Sequence, residues 1–475
     1  MEHGKRASWS GQLAFVLAAA ASAIGLGNLW RFPYLAAQYG GGTFIVIYLA
    51  LVVTLGFTLM LTEIAIGRKT QQSQLTAYSR LHRGWGFIGV LGTVIPMLIV
   101  PYYCVIGGWV VYYFKAYCQM AFTGVDPMGA AAADSGAFFS SFISAPFAPF
   151  GYATVFIVAC AAVIVLGVKN GIEKSNLVMM PLLLLMAIAI SVYVVAMPGA
   201  GEGLKYYLVP NLDCLTDANG RFSFALLGKT LLGATGQMFY SLSLAMGIMI
   251  TYGSYMRRQD SVPKAAVRIV AADTFVAVLS GFMIIPVVVM FAAKSGAGRA
   301  VIDAGPGLMF VSLPKVFANF GATGAWIGLA FFTLVLFAAF TSAISMTEAC
   351  VAAVCDYLHV KRNTSVAAVC AWSVAVGSLS AFGYGRWKEF KPFGLPALDF
   401  FDSSMNVLTP VVAALICVFA GWVLRPKRIL AECHRDGSAV GFKTFYAVMV
   451  KFIAPLLVLA ILVSETCRAL KVWDI

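Results

Sequence analysis

Ala21-Ser22-Ala23-Ile24-Gly25-Leu26-Gly27-Asn28 is a run of small and polar residues within a long apolar segment. A second apolar segment is interrupted in the same way by Tyr240-Ser241-Leu242-Ser243-Leu244-Ala245-Met246-Gly247. In lipid, a backbone amide or carbonyl without a helical partner is costly, so it is tolerated only where the chain faces protein, water or a bound ligand. The two stretches therefore predict two broken membrane helices that border a binding site.

The composition of the chain supports this prediction. Of 475 residues, 61% are hydrophobic and 11% are charged, and the mean hydropathy is +0.87. Soluble domains contain roughly 25% charged residues. Uncharged runs such as 32–62 and 316–347 exceed the roughly 20 residues that a helix needs to cross a bilayer. The sequence thus predicts an all-α polytopic membrane protein, whose ten cysteines are interpreted as packing residues because they lie mostly in apolar segments.

The apolar runs predict eleven transmembrane helices. Lys and Arg are more numerous in the loops on the side of the N-terminus, which predicts a cytoplasmic N-terminus in the inner (plasma) membrane. An odd number of spans then places the C-terminus outside. This topology explains the net charge of +13, and nucleic-acid binding is the weaker alternative. The predicted spans are 11–36, 41–68, 86–120, 151–168, 175–198, 224–256, 264–293, 323–358, 364–383, 398–424 and 444–468.

The broken spans are the first and the sixth, which indicates a unit of five helices that occurs twice. Because five is odd, the second copy is inverted relative to the first, as in secondary transporters whose site lies at paired breaks. The outside segment 297–320 has room for a short re-entrant helix. The predicted organisation is a cytoplasmic segment 1–10, a first repeat 11–198, an extracellular loop 199–223, a second repeat 224–424, and 425–475 with a cytoplasmic loop and a peripheral eleventh span.

Four strings of residues connect the chain to a known family. They are Gly25-Leu26-Gly27-Asn28-Leu29-Trp30-Arg31-Phe32-Pro33-Tyr34, Gly40-Gly41-Gly42, the stretch from Gln237 to Gly247 continuing to Thr251-Tyr252-Gly253-Ser254-Tyr255, and Phe337-Ala338-Ala339-Phe340-Thr341-Ser342. They resemble the neurotransmitter:sodium symporters, whose bacterial members include the leucine transporter. The resemblance covers nearly the whole chain and implies the leucine-transporter fold with its inverted repeat of five helices. It also implies sodium-coupled amino-acid symport by alternating access, with no enzyme activity and no organic cofactor, and it leaves the oligomeric state open.

The resemblance implies two Na⁺ sites. Broken helices expose carbonyl oxygens, and oxygen-rich surroundings without histidine favour Na⁺ over transition metals. An alternative for the two hydroxyls of the second site is hydrogen bonding to carbonyls one turn earlier in their own helix. The first site takes the Ala23 carbonyl, Asn28, Ser241, Asp273 and the substrate carboxylate; the second takes the carbonyls of Ala21, Ile24 and Ala338 with the hydroxyls of Thr341 and Ser342.

Asp273 is an acidic residue in a charge-poor run, and an intramembrane carboxylate indicates a functional site. The leucine transporter has Asn at the matching position and Glu one turn later, where this chain has Ala277. Chloride-dependent relatives have Ser at the latter position. We therefore expect Asp273 to bind Na⁺ and to supply the compensating negative charge, which makes transport independent of chloride.

The substrate class follows from Gly25, which occupies the position where amine transporters of the family have Asp. An α-amino acid that brings its own carboxylate fits such a site. Met246 and Met346 are flexible and suit a large apolar or aromatic L-amino acid, although methionines at helical spacing also occur as plain core packing. The predicted substrate-binding residues are Ser22, Ala23, Leu26, Gly27, Ile99, Tyr103, Tyr240, Ser241, Ser243, Ala245, Met246, Ser342 and Met346.

The resemblance also implies two gates. The outer gate is an ion pair between Arg31 and Asp399, with Gln237 nearby. The inner gate is an ion pair between Arg6 and Asp356, close to Trp9 and Tyr255, although Arg6 alone also fits an ordinary positive-inside anchor. Solvated ion pairs contribute roughly 0 to 1 kcal/mol, which suits a gate that opens in every cycle.

Two further features concern the moving helices. Glu63 matches a family residue that braces the broken sixth span, and it also fits a residue at the end of a span. Gly171 and Pro181 are spaced so that the fifth span can unwind and admit water to the second Na⁺ site. The nearest alternative function is proton-coupled transport of amino acids or amines, with Asp273 or Glu63 carrying the proton. An ion channel or membrane enzyme is disfavoured, because no catalytic or metal-binding cluster lies within the spans.

Overall fold

The computed structural model describes residues 6–128, 135–217, 219–295, 306–437 and 441–469, and this part of the chain is helical with two isolated β-bridges. We number the principal helices in chain order, and each continuous run is counted once. They are α1 Gln12–Ala23, α2 Gly27–Gln38, α3 Gly42–Thr70, α4 Gln74–Leu81, α5 Arg83–Thr123, α6 Ser135–Ser144, α7 Ala148–Val165, α8 Val168–Val195, α9 Ala200–Leu208, α10 Phe224–Ser241, α11 Ile248–Ser254, α12 Val262–Ser295, α13 Leu308–Ala318, α14 Ala322–Leu358, α15 Arg362–Phe382, α16 Ala397–Val423, α17 Pro426–Cys433 and α18 Lys443–Ala469.

Nine of the described helices are long and apolar enough to cross a membrane, namely α3, α5, α7, α8, α12, α14, α15, α16 and α18. The pair α1 and α2 meets the same criterion as one span, bent by 54° at its break. The chain is therefore a multi-pass helical membrane protein, as predicted. The predicted ends of these spans agree with the structure to within about a turn, except that α8 begins earlier, at Val168.

The first break lies between α1 and α2. Ile24 leaves the helical conformation with a ψ of 96°, and the chain becomes helical again at Gly27 with a π-helical turn that extends to Arg31. Ser22, Asn28 and the intervening residues are buried, so the free backbone groups face protein and not lipid. The predicted break in the first span is thus present in the structure.

The second break lies between α10 and α11 and is longer. Ser243 and Ala245 have φ values of 51° and 62°, and Gly247 has a φ of 75°. A left-handed conformation at a residue other than glycine costs on the order of 1–3 kcal/mol, so the surroundings must hold it in place. Such strain concentrates at functional sites, which is consistent with the prediction of a binding site here.

Close packing around the breaks depends on glycine. A Cβ on Gly67 of α3 would lie 1.9 Å from the Ile250 carbonyl oxygen, and one on Gly253 would lie 2.6 Å from that of Ile64. These contacts bring α3 and α11 together backbone to backbone. At the other end of the molecule, Gly41 has a φ of 54° and packs against the Tyr206 carbonyl in the last turn of α9.

Two elements singled out in the sequence, the fifth span around Gly171 and Pro181 and the segment 297–320, contain helices where the structure describes them. The first six residues of α8, Val168–Glu173, form a π-helix, and Pro181 lies within the helix that continues to Val195. In the outside segment 297–320, α13 is a short apolar helix, whereas residues 296–305 lie outside the described part of the chain. Residues 1–5 of the predicted cytoplasmic segment also lie outside it.

Candidate functional site

The two breaks meet at a buried polar cluster. The Asn28 amide Nδ2 donates to Asp273 Oδ1 at 2.8 Å and to Ser241 Oγ at 3.0 Å, and Ser241 Oγ donates to Asp273 Oδ2 at 2.8 Å. The Gly25 backbone N–H donates to Asn28 Oδ1 at 3.1 Å. Residues from α2, α10 and α12 thereby join both breaks to one carboxylate.

Asp273 is fully buried, and no Lys, Arg or His of the described residues forms an ion pair with it. Burial of a carboxylate without a cation is costly, so a cation is the ligand that this cluster is best suited to bind. Among the described residues, Gln237 Oε1 is a buried polar atom without a hydrogen-bond partner, and the buried Tyr48 hydroxyl lies beside Ser241. Tyr48 interacts electrostatically with Asp273, and the sequence analysis had not singled it out.

Hydroxyl groups on α14 lie on the other side of the first break. Ser342 Oγ reaches across and donates to the carbonyls of Ser22, at 3.1 Å, and Ile24, at 3.4 Å. Thr341 Oγ1 instead donates to carbonyls of its own helix, Phe337 at 3.0 Å and Ala338 at 3.2 Å. Thr341 thus bonds to carbonyls one turn earlier in its own helix, which was the alternative for both hydroxyls. Ser342 instead connects α14 to the first break.

A small cavity of about 30 Å³ lies between the two sets of polar residues, with room for about two water molecules. A Cβ on Gly25 would lie 2.7 Å from Ser342 Oγ and 3.3 Å from Tyr103 Oη, so this position has no room for an Asp side chain. The cavity lining contains eleven of the thirteen predicted substrate-binding residues and in addition Gly25 and Asn28. The eleven are Ser22, Ala23, Leu26, Gly27, Ile99, Tyr103, Tyr240, Ser243, Met246, Ser342 and Met346.

Ser241 and Ala245 are the two predicted substrate-binding residues that do not line this cavity. Ser241 is directed to Asp273. The Ala245 backbone N–H donates to Glu63 Oε1 at 2.7 Å, so its left-handed conformation directs the amide toward α3. Glu63 is fully buried, and this hydrogen bond is its contact with the second break.

On the side that is predicted to be the outer one, a cavity of about 340 Å³ is lined in part by Tyr240. Arg31 lies over the Tyr240 ring, with its Cζ 5.3 Å from the ring centroid, and Gln237 Nε2 donates to the Gly27 carbonyl at 3.0 Å. The predicted ion pair of Arg31 with Asp399 is not formed: no contact within 4 Å joins them, and Asp399 instead accepts a hydrogen bond from Tyr384 at 3.2 Å.

A second carboxylate, Asp402, was missed by the sequence analysis. It lines the outer cavity together with Arg31, interacts with it electrostatically, and accepts a hydrogen bond from Tyr102 at 3.2 Å. The signal was in the sequence, because Asp402 follows Asp399 by three residues and so lies on the same face of a helix. Glu465 of α18 also lines this cavity, so the last span contributes to the outer side.

On the side that is predicted to be cytoplasmic, Arg6 and Asp356 form an ion pair. Arg6 Nη1 lies 2.8 Å and 2.9 Å from the two oxygens of Asp356, and Arg6 Nε donates to Ser254 Oγ at 2.9 Å. The Arg6 Cζ is 5.1 Å from the centroid of the Tyr255 ring. Trp9 is buried and donates through Nε1 to the Tyr252 carbonyl at 3.1 Å.

Comparison with known proteins identifies the family. The model described as the sodium:neurotransmitter symporter family matches residues 6–125 and 150–472. The chain belongs to the sodium:neurotransmitter symporter family. This family consists of transporters, which agrees with the expectation that the chain is not an enzyme.

Individual members of the sodium:neurotransmitter symporter family match along their whole length. An uncharacterized sodium-dependent transporter of Bacillus subtilis is 33% identical over 469 residues, which cover 98% of both chains. A similarly described transporter of Haemophilus influenzae is 31% identical over 475 residues, covering 97% of this chain and 98% of the relative. The solved structure of MhsT in complex with L-phenylalanine superimposes with a TM-score of 0.83 at 34% identity and covers 97% of this chain and 100% of that chain.

Proposed function

We propose that this protein is a sodium-coupled symporter of hydrophobic or aromatic L-amino acids that works by alternating access. The observation that carries the proposal is the cluster of Asn28, Ser241 and Asp273, where a buried carboxylate without a cationic partner joins both helix breaks. Shared ligands make the binding of Na⁺ and substrate mutually favourable, and this coupling lets downhill Na⁺ entry drive uphill substrate entry.

Na⁺ is a transported substrate in this scheme, and we assign it two sites. The first uses the Ala23 carbonyl with the three side chains of the cluster. The second uses the carbonyls of Ala21, Ile24 and Ala338 with Thr341 and Ser342. The hydrogen bonds from Ser342 Oγ to carbonyls of the first break support this assignment, because they show that the hydroxyl and the carbonyl oxygens lie close together. A bound Na⁺ would contact these oxygens in place of the hydroxyl hydrogen.

The amino acid would bind in the cavity between the sites, with its carboxylate near the first Na⁺ and its ammonium at carbonyls of the breaks. The cavity lining contains no Lys, Arg, Asp or Glu, which disfavours charged side chains. Met246 and Met346 are flexible enough to make room for a bulky apolar side chain. The similarity to MhsT, whose structure contains L-phenylalanine, supports this substrate class.

Transport is proposed to be independent of chloride. The rat taurine transporter, described as sodium- and chloride-dependent, is 26% identical over 467 residues, covering 88% of this chain and 71% of the relative. In this chain the negative charge of Asp273 would take the place of the anion, and Ala277 offers no hydroxyl to bind one.

The proposed topology has eleven spans, with α10 and α11 counted as one broken span. It consists of a first repeat at 11–198 and an inverted repeat at 224–424, with the N-terminus in the cytoplasm and the C-terminus outside. In the cycle, Arg31 with an acidic residue of α16 closes the outer side, Arg6 with Asp356 closes the inner side, and unwinding between Gly171 and Pro181 admits water to the second Na⁺ site. The π-helical start of α8 supports this last step, because a π-helical turn is frequent at functional sites.

The test is uptake of radiolabelled amino acids by the purified protein in liposomes, with all twenty amino acids as competitors. We expect uptake driven by a Na⁺ gradient, unchanged when gluconate replaces chloride, and inhibited most by aromatic and branched aliphatic competitors. Uptake driven only by a pH gradient without Na⁺ would favour the proton-coupled alternative. Loss of uptake in gluconate would contradict chloride independence alone.

The Asp273→Asn variant tests the cluster directly. We expect Na⁺-dependent uptake to fall by roughly 5- to 150-fold, the usual range of a coupling free energy between two ligands. The matched control is Glu202→Gln, which removes an exposed carboxylate from α9 and should leave uptake unchanged. Wild-type Na⁺ dependence in Asp273→Asn would rule out the assigned role.

A further inference from the structure

A lysine lies within the last span without a carboxylate partner. Lys451 is eight residues inside the Lys443–Cys467 span, about 12 Å along the helix. Among the described residues, no Asp or Glu forms an ion pair with it. An intramembrane cation needs a counter-charge or a path to the headgroup region, which its long side chain can reach.

The surroundings of Lys451 are aromatic and open to lipid. Its Nζ lies 5.5 Å from the centroid of the Trp422 ring, and Trp422 Nε1 donates to the Lys451 carbonyl at 3.3 Å. Both residues lie in π-helical turns, Phe419–Val423 and Met449–Ile453, which alter the regular backbone hydrogen bonding. Trp422 is 55% exposed and Phe452 is 52% exposed, so the contact faces outward from the protein.

The neighbouring helix α17 adds further positive charge. Its apolar residues Ile429, Leu430 and Cys433 are buried. Its one acidic residue, Glu432, is also buried and is paired with the fully buried Arg68 at 2.9 Å. The exposed surface of this region is therefore basic, and its exposed cations are Arg425, Lys427, Arg428, Lys443 and Arg435, of which Arg435 lies 3.4 Å from Glu432.

We infer that Lys451, Trp422 and the exposed face of α17 form a binding site for the headgroup of an anionic phospholipid, here called the lipid site. The phosphate accepts hydrogen bonds from Lys451 and the α17 cations, and the acyl chains lie against Trp422 and Phe452. Charge complementarity carries the assignment, because the region combines the α17 cations Lys427 and Arg428 with Arg425, Lys443 and Lys451, whereas Glu432, the one acid of α17, is already paired with Arg68. The leaflet is the cytoplasmic one under the topology proposed above, whereas lipid binding itself requires neither that topology nor transport.

Native mass spectrometry of the full-length protein with phosphatidylglycerol or phosphatidylcholine tests the site. We expect phosphatidylglycerol to be retained preferentially, and Lys451→Met to weaken its retention about fivefold, the effect of one basic residue near an anionic surface. Lys451→Arg should retain the lipid as the wild type does. The matched control is Lys115→Met, because Lys115 lies eight residues inside the other end of a span, α5, and donates to Tyr152 Oη at 3.4 Å.

Three results would overturn the lipid site. They are equal retention of both lipids, unchanged retention in Lys451→Met, and an equal loss in Lys115→Met, which would indicate nonspecific attraction. Inorganic phosphate at matched ionic strength separates a free anion from a lipid, and displacement of the lipid by phosphate would also count against the proposal. If Lys451→Met fails to fold, Arg425→Gln provides the same test at an exposed position, with an equal expected loss.

Discussion

The two ends of the transport path are built from the same parts but differ in their contacts. On each side an arginine lies over a tyrosine ring, Arg6 over Tyr255 at 5.1 Å and Arg31 over Tyr240 at 5.3 Å. On the inner side the guanidinium also contacts both oxygens of Asp356. At Arg31, no acidic residue of the described part of the chain forms an ion pair within 4 Å, and a cavity of about 340 Å³ lies there.

This difference separates the ion pair from the stacking as the contact that closes an end of the proposed transport path. The contact between arginine and tyrosine exists on both sides, so it is compatible with an open end. Of the two ends, only that of Arg6 has an ion pair among the described residues, and there the Arg6 and Asp356 side chains are 18% and 15% exposed. We infer that formation of the ion pair, and not the stacking, closes each end.

The first prediction breaks the inner ion pair. Asp356→Asn removes one partner of a largely buried pair, at a cost of roughly 2–5 kcal/mol, and thereby favours opening of the inner side. Labelling of Ser254→Cys, which lies against Arg6, by a water-soluble thiol reagent should accelerate at least about tenfold. The background for this measurement lacks the native cysteines that react with the reagent.

Arg435→Gln serves as the control for Asp356→Asn. It removes an exposed cation on the same side of the molecule: Arg435 is 46% exposed, and its buried partner Glu432 keeps its ion pair with Arg68. Its effect on labelling should stay below about twofold, as for a surface salt bridge. Equal acceleration in both variants would show that charge loss in general, and not the gate, controls access.

The second prediction changes the outer side through backbone packing. A Cβ at residue 27 would lie 2.3 Å from Tyr240 Cδ1, so Gly27→Ala must displace the ring on which Arg31 lies. Overpacking costs typically 1–3 kcal/mol, and we expect the apparent substrate affinity to fall about tenfold. Gly236→Ala is the control, because its Cβ would lie an ordinary 3.6 Å from Arg31. Faster labelling of Ser254→Cys in Gly27→Ala would contradict a purely outer effect.

The third prediction decides which acid closes the outer side. Asp402 faces Arg31 in the outer cavity and Asp399 is bonded to Tyr384, so Asp402→Asn should reduce uptake more than Asp399→Asn does. We expect uptake to fall about fivefold in Asp402→Asn and less than about twofold in Asp399→Asn, because the charges are partly solvated. Uptake by both variants in liposomes is the measurement, with the amount of folded protein as the reference. The reverse order would restore the original assignment to Asp399.

The choice between these two acids illustrates how much of the fold and of the site the sequence predicts. The spans and their breaks were predictable, because lipid requires satisfied backbone groups and so restricts the chain to long apolar helices. The residues at the breaks were predictable in the same way, since Asn28, Ser241 and Asp273 are polar groups in apolar surroundings. Their meeting in one cluster followed from the family resemblance and is present in the structure.

The orientation of side chains was less predictable. Asp399 and Asp402 share one helix face, so only the rotation and tilt of α16 decide which of them faces Arg31. Ala245 was expected in the substrate cavity, but its φ of 62° directs its amide to Glu63 instead. No local sequence pattern predicts an alanine with a left-handed backbone conformation, because tertiary contacts impose that conformation.

The last prediction concerns the smallest effect, the coupling between Arg31 and Asp402. A double-mutant cycle with Arg31→Gln and Asp402→Asn, measured as apparent substrate affinity, should give a coupling of about 0.5 kcal/mol, or roughly twofold. The same cycle for Arg6 and Asp356, measured by Ser254→Cys labelling, should exceed about 1.5 kcal/mol, since that pair is in contact and largely desolvated. Equal couplings at the two ends would mean that the difference in distance has no energetic counterpart, and the ion pair could then not be what closes an end.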